Sequence, residues 1–413
     1  MSKSDHFDVL IIGAGHAGAQ TAIALRQQKF EGTIGIVGDE TEHPYERPPL
    51  SKDYFLGEKT FDRLLIRPES FWRERKVSLM LGHRAVSLDA DARTIFLQDG
   101  AKIGYGDLVW AAGGRARRLS CPGFDLGGIH YVRTRADVDA LLEDAEAATR
   151  VAVIGGGYIG LEAAASLSKL GKAVTLFETA DRLLARVAGA PISHFYADAH
   201  RRRGVAVLTS INIVEVLGEQ DRVFAVRSDH HTFPCDLVIV GIGIIPESEV
   251  LAKGGAKVEN GVWVDAHGAT SLPHVYAAGD CAAGESQFAD GARLRIESVQ
   301  NANDTATSVA SSIMGAPRPY AATPWFWSNQ FDLKLQTVGL CTGHDEAVVR
   351  GDPETESFSV IYLKQGRVIA LDCVNNVKDY VQGRKLVELG LSPALSAIVD
   401  SDIPLKNLLP PTA

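Results

Sequence analysis

Two short glycine-rich stretches carry the first chemical meaning in this sequence. "GAGHAG" at 13–18 follows the apolar run at 9–12, and "GGGYIG" at 155–160 follows the apolar run at 151–154. In each, the first glycine (Gly13, Gly155) permits a tight turn and the second (Gly15, Gly157) lets the backbone approach a pyrophosphate. The third (Gly18, Gly160) lets helix and strand pack closely, so the phosphate charge rests on a helix N-terminus. After the second stretch, "VTLFE" ends in Glu178, whose carboxylate can accept both ribose hydroxyls and would repel a 2′-phosphate. That predicts NADH rather than NADPH. In the first copy "IGIV" runs into Gly38, so the acids Asp39 and Glu40 come one and two residues late, and one of them is expected to hold an adenosine ribose.

A chain with two dinucleotide turns suits hydride transfer, one site holding a flavin permanently and the other admitting a nicotinamide. A third stretch, "TSLPHVYAAGDCA" at 270–282, reads as a strand ending in Gly279-Asp280 with a helix following. Asp280 would there hydrogen-bond a ribitol hydroxyl and close an FAD site.

These residues need rigid elements to position them, and the sequence supplies the elements in duplicate. Each copy is a β-rich run, a glycine turn, an Ala-rich helix and a second β-rich run: 9–12, 19–28 and 34–37 in the first, 151–154, 161–170 and 174–177 in the second. Each is a βαβ unit, and two such units predict an α/β protein with two Rossmann-like domains. At 413 residues, the chain has room for a third.

Composition excludes several other classes. A net charge of −9 argues against general nucleic-acid binding, which needs a surplus of Lys and Arg. The run Arg201, Arg202, Arg203 before Gly204 reads as the last turn of a helix. The cysteines at 121, 235, 281, 341 and 373 are too far apart in sequence for a metal knuckle or a redox dithiol, so no metal site is expected. A charged "MSKSDHFD" leads straight into the first strand, and no apolar stretch is long enough for a membrane span. The expectation is a reduced, cytoplasmic protein that meets no membrane.

"GAGHAG", "RPPLSK" at 47–52, "GGGYIGLE", "YAAGD" and "PWFWSNQ" at 324–330 together resemble the glutathione-reductase-fold flavoproteins. Within them the chain is similar to the NADH-dependent ferredoxin reductases of bacterial oxygenase systems, with "RPPLSK" and "PWFWSNQ" the discriminating pieces. The resemblance implies an FAD domain from 1–118 and 246–325, an NAD domain from 119–245, and a C-terminal α+β domain from 326–413. The borders fall at "DLVWAAGG" and "DLVIVGIGIIP", which read independently as buried strands followed by turns.

The same resemblance assigns site residues. It places Lys52 under the flavin, near the nitrogen that accepts the hydride, with Glu162 facing it from the NAD domain. Physics favours such a pair, because a flavin that takes a hydride gains negative charge, and a buried ammonium is costly without a carboxylate beside it. Pro48 and Pro49 stiffen the loop that would hold the charge. Arg47 and Arg133 resemble positions near the FAD phosphates, Val86 one near adenine, and Val299 and Trp327 others against FAD; Arg133 could as well cap a helix. Ile159 and Gly243 resemble positions on the NAD side. "SNQ" stands where the family commonly has "SDQ", which leaves Asn329 without an assigned role.

The implied reaction takes a hydride from NADH to FAD and passes single electrons to a small iron-sulfur ferredoxin. Because that partner is itself acidic by resemblance, docking needs a local positive patch, for which Arg318, Lys334 and Lys406 are candidates. Two rival chemistries share the same glycine turns. A disulfide reductase of the same fold needs a redox cysteine where this chain has Leu50, Ser51 and Lys52. A redox sensor of the apoptosis-inducing-factor type would bind NADH without turnover, and the sequence leaves it open.

Overall fold

The computed structural model describes residues 5–410. The chain folds into two compact units, the first made of residues up to Glu46 with Phe61–Arg115 and Ile245–Pro324, the second of Arg47–Thr60, Ala116–Ile244 and the chain from Trp325 onward.

The first unit begins with β1 (Asp5–Ile12), whose residues Val9, Leu10, Ile11 and Ile12 are buried, as befits a central parallel strand. After it come α1 (His16–Gln27), β2 (Ile34–Gly38), α2 (Glu69–Glu74), β3 (Val77–Leu81), β4 (Ala85–Asp89), β5 (Thr94–Leu97) and β6 (Lys102–Trp110). The sheet runs β3-β2-β1-β6 in parallel and continues through the antiparallel hairpin of β5 and β4. The strand Val275–Ala277 pairs in parallel with Leu108–Trp110 of β6. On one face, Ala17, Ala22 and Ala24 of α1 share a cluster with Ala302, Ala306 and Ala310 of the helix Val299–Ile313, small side chains that let two helices approach closely.

The chain leaves through β7 (Gly114–Ala116) and builds a second parallel sheet from β8 (Ile129–Tyr131), β9 (Arg150–Ile154), β10 (Ala173–Phe177) and β11 (Ala206–Leu208), with α3 (Arg135–Ala147), α4 (Tyr158–Lys169) and α5 (Ala190–Arg202) between them. Its order is β11-β10-β9, then the strand Leu237–Val240, then β8. The same unit contains a five-stranded antiparallel sheet in the order Trp325–Gln330, Leu333–Gly339, Arg367–Val374, Ser357–Lys364, Glu346–Asp352. The helix Val377–Glu388 covers it through Leu386 and Val387. Buried Arg350 ties the chain beyond that helix to the sheet, donating to Asp379 and to the carbonyls of Ile398 and Ile403.

Several expectations need correction. Both helices after the glycine turns start three residues earlier than read, at His16 and Tyr158, because the middle glycine is already the N-cap and the third lies inside the first helical turn. The first strand reaches back to Asp5, where its backbone continues the pairing with β6. No helix follows Asp280 directly: Gly279–Cys281 is a single 3-10 turn, the strand Ala282–Glu285 comes next, and the helix waits until Val299. The loop Arg47–Thr60, expected with the rest of residues 1–118, belongs to the second unit. The physical reason is a set of bonds from Ser51, Lys52 and Tyr54 to Glu162 and Asp139.

Candidate functional site

The two glycine turns have nearly one geometry. Gly13 and Gly155 both sit at φ +113°, a left-handed region that a side chain avoids. A Cβ on Gly13 would lie 2.2 Å from the Ala111 carbonyl oxygen, and one on Gly155 2.4 Å from that of Gly241. At Gly18 and Gly160 the equivalent Cβ would come 1.9 Å from the oxygen of Gly13 or Gly155. Both third glycines are therefore required for the helix to sit against its own turn.

Gly15 and Gly157 are extended N-caps with no side-chain cap, and neither helix has an acidic residue in its first turn. The first N–H groups of a helix need acceptors, and a pyrophosphate supplies them with the matching charge. A Cβ on Gly157 would meet nothing within 4 Å, so a ligand can reach the backbone there. These donor sets fit dinucleotides.

Glu178 folds back over its turn, accepting from the Gly156 N–H at 2.7 Å and the Ala180 N–H at 2.8 Å. In the first unit the two acids part company. Glu40 accepts from the Tyr45 hydroxyl at 2.6 Å, whereas the Asp39 side chain is 60% exposed with Arg84 3.6 Å away. Gly279, at φ +75°, lies so close to Ala17 that a Cβ would come within 2.9 Å of that side chain, which brings Asp280 to the start of α1. Val299 opens its helix behind the N-cap Ser298.

The remaining expected residues are spread out. Val86 is 44% exposed on β4, and Ile159 is 41% exposed in the first turn of α4. Gly243, at φ +97°, lies on the loop after the strand Leu237–Val240, with a Cβ position 3.6 Å from Arg186. Arg47 donates to the Arg133 carbonyl at 2.7 Å. Arg133 is not the cap of α3, a role filled by Thr134 in a capping box with Asp137. Arg318, Lys334 and Lys406 are exposed, as is Asn329, so the departure from "SDQ" falls on a solvent-facing position.

The second unit buries a compact polar cluster around Glu162. Pro48–Ser51 forms a 3-10 turn that delivers Lys52, and Ser166 Oγ on α4 holds the turn by donating to the Ser51 carbonyl at 2.9 Å. One helical turn earlier on the same face of α4, Glu162 is 3% exposed. Its Oε1 accepts from Lys52 Nζ at 2.9 Å and Ser328 Oγ at 2.6 Å, and its Oε2 from Ser51 Oγ at 2.6 Å. Lys52 is 11% exposed, and its Nζ lies 6.0 Å from the centre of the Trp327 ring. A buried ion pair is stable only when its remaining lone pairs are satisfied, and the two hydroxyls do this.

The comparisons with known proteins agree with this layout. Residues 7–306 match the family described as Pyridine nucleotide-disulphide oxidoreductase, and residues 325–409 match Reductase C-terminal. The chain belongs to this oxidoreductase family. It is 58% identical over 405 residues, covering 98% of both chains, to the 5,5'-dehydrodivanillate O-demethylase ferredoxin reductase subunit of Sphingobium sp.. Among solved structures it is similar to the ferredoxin reductase for the CYP199A2 system from Rhodopseudomonas palustris, with a TM-score of 0.94, 41% identity, and 97% of this chain and 99% of that one covered. A covalent putidaredoxin reductase-putidaredoxin complex gives a TM-score of 0.94 at 37% identity, with 98% of each chain covered.

Sequence reading missed Ser51, Ser328, Gln330 and His200. Strand alternation could have found two of them, since residues 328 and 330 share a face and are buried while 329 is exposed. Nothing local marks His200, buried on α5 some distance along the chain from its partner.

Proposed function

We propose that this protein is an NADH:ferredoxin oxidoreductase that carries electrons through FAD to a small iron-sulfur protein serving a bacterial oxygenase. The observation that carries the reading is the pair of uncapped dinucleotide turns, alike in backbone and different in the acid that follows. Relatives named as reductase subunits of oxygenase systems support it, and they do not favour the redox-sensor alternative. The first turn, with Asp39, Asp280, Val86, Val299, Trp327, Arg47 and Arg133, serves FAD; the second, with Glu178, Ile159 and Gly243, serves NADH. We assign the domains as 1–118 with 246–325, 119–245, and 326–413, with the loop 47–60 of the first packing in the second compact unit.

Bound FAD supplies a hydride acceptor that can release its electrons singly. Lys52 places an ammonium where negative charge arrives, and Glu162 keeps that ammonium in a fixed position. Glu178 accepts ribose hydroxyls and repels a 2′-phosphate. The rigid loop of Pro48 and Pro49 holds the cation without a thiol beside it, which suits one-electron delivery over disulfide reduction. The reading sets the protein in the cytoplasm, in keeping with five free cysteines and with the absence, among the described residues, of any helix long and apolar enough to cross a membrane.

Arg318, Lys334 and Lys406 are assigned to ferredoxin docking. The test is NADH oxidation by the purified protein against a panel of small iron-sulfur proteins, with cytochrome c as reporter. Turnover with the right ferredoxin should fall as salt rises, because steering between exposed charges fades over a Debye length of about 8 Å at physiological ionic strength. Arg318→Glu should raise the ferredoxin KM and leave NADH kinetics alone. NADH oxidation that no iron-sulfur protein accelerates refutes the function, and a rate indifferent to salt and to this charge reversal refutes the docking assignment.

A further inference from the structure

Behind Glu162 the polar cluster continues inward, away from the turn that carries Lys52, through Ser328, Gln330 and His200. Ser328 Oγ donates to Glu162 Oε1 at 2.6 Å, Gln330 Nε2 donates to Ser328 Oγ at 3.1 Å, and Gln330 Oε1 lies 2.9 Å from His200 Nε2. Ser328, Gln330 and His200 are each 0% exposed, and Ser51 is 2% exposed. The line crosses from α4 through the strand Trp325–Gln330 to α5, all within the second unit.

The directions of these bonds follow from their chemistry. A carboxylate only accepts, so Ser328 must give its one proton to Glu162 and can receive only on its lone pairs. Gln330 therefore turns its NH₂ towards Ser328 and its oxygen towards His200, and His200 must carry its proton on Nε2. Burial agrees, since it pushes the imidazole down to about 4 and leaves it neutral. His200 Nδ1 is buried with no hydrogen-bond partner among the described residues, as a bare nitrogen of that tautomer would be. Every dipole in the line thus points at Glu162. An amide does not pass protons along such a line, so it is an orienting device and not a proton path.

We infer that Ser328 and Ser51, backed by Gln330 and His200, are positioning residues that orient the Glu162 carboxylate and through it fix the Lys52 ammonium for charge arriving on the flavin. This rests on the proposed function. Ser51 holds one carboxylate oxygen and Ser328 the other, so the carboxylate plane cannot turn without breaking a charge-assisted bond. Loss of either hydroxyl frees that plane, and the ammonium moves with it.

The test uses the FAD-loaded full chain and compares Ser328→Ala, Ser51→Ala, Gln330→Leu and the parent. Tyr362→Phe is the control, because it removes an equally buried bond in the same unit, from Tyr362 to Asp372, that belongs neither to Glu162 nor to the line behind it. Three quantities are read: the midpoint potential of the bound flavin, the rate of its reduction by NADH, and the melting temperature. Ser328→Ala and Ser51→Ala should each shift the two-electron equilibrium about tenfold against reduction, about 30 mV, and slow reduction about tenfold with NADH affinity unchanged. Gln330→Leu should do the same by a smaller factor, about threefold, since it acts through Ser328. Tyr362→Phe should lower the melting temperature and leave the potential where it was. If Ser328→Ala and Ser51→Ala keep the parent potential, or Tyr362→Phe shifts it equally, the line is only packing and the inference is overturned. A parent protein that takes up no flavin overturns the proposed function and this inference together; a parent reduced normally beside unshifted variants overturns the inference alone.

Discussion

The two glycine turns are built alike and finished differently. Both start from a glycine at φ +113° pressed against a carbonyl of the neighbouring loop, and both cap their helix with a bare glycine. After the first turn, Glu40 is drawn to a tyrosine and Asp39 faces solvent; after the second, Glu178 lies across the turn with its carboxylate on the Gly156 N–H. Turn geometry is thus set by where a Cβ cannot go, whereas the two turns part at the acid that follows, and it is to that acid that we assign the choice of nucleotide.

The comparison is broken most decisively at its common part. Gly13→Ala and Gly155→Ala put a methyl into backbone at an unfavourable φ, so each should abolish binding at its own turn. Gly13→Ala should purify colourless. Gly155→Ala should stay yellow, yet its flavin should bleach at least a hundredfold more slowly with NADH. The yellow absorbance of oxidised flavin in the purified variants decides it, and the reverse pattern would exchange the two assignments.

Where the turns differ, Glu178→Ala should reduce the preference for NADH over NADPH at least tenfold, by relieving repulsion of the 2′-phosphate. The ratio of kcat/KM for the two nucleotides measures this. An unaltered enzyme that uses both equally would remove Glu178 from nucleotide choice.

The units differ also in what they bury. Glu162, His200, Arg350, Asp372 and Asp379 are buried, and all five belong to the second unit. Burial pushes Asp372 up to about 7, against an ordinary value of 3.8, with the Tyr362 hydroxyl opposing the shift. The folded chain therefore binds a proton that the unfolded chain has released between about pH 4 and 7, so the second unit should lose stability as pH rises through that window. The loss should be on the order of 3 kcal/mol. Asp372→Asn should flatten it, as urea unfolding at pH 5 and 7.5 would measure; an unchanged slope would point to another buried group.

The smallest expected effect separates the two acids of the first unit. Glu40 accepts from the Tyr45 hydroxyl, and Asp39 is the acid proposed for the ribose. Asp39→Ala should weaken FAD retention about threefold to tenfold, and Glu40→Gln should lower the melting temperature by a few degrees with FAD retention unchanged. Equal FAD loss in both variants would erase the distinction.

Much of this was legible in the sequence, and the division has a physical basis. A glycine turn is a local device, so the residues at 13–18 and 155–160 announced themselves, and Glu178 followed from strand length alone. The pairing of Lys52 with Glu162 joins distant parts of the chain and entered through family resemblance. Ser328 and Gln330 show only as inward positions of an alternating strand, and His200 not at all, because each is ordinary by type and acquires meaning only from its neighbour. The helix starts were misplaced for the opposite reason: the third glycine looks like loop but is held inside the helix by the carbonyl it touches.

The strand Val275–Ala277 completes the first sheet by pairing with Leu108–Trp110 of β6, a segment that is fully buried. During synthesis the ribosome delivers β6 long before that partner, roughly ten to thirty seconds ahead at about 5–20 residues per second. For that interval an apolar strand edge stands open while the entire intervening insert is made, and such an edge readily pairs with another chain. Expression yield should consequently respond to temperature and to chaperone supply more than the finished protein's stability would suggest.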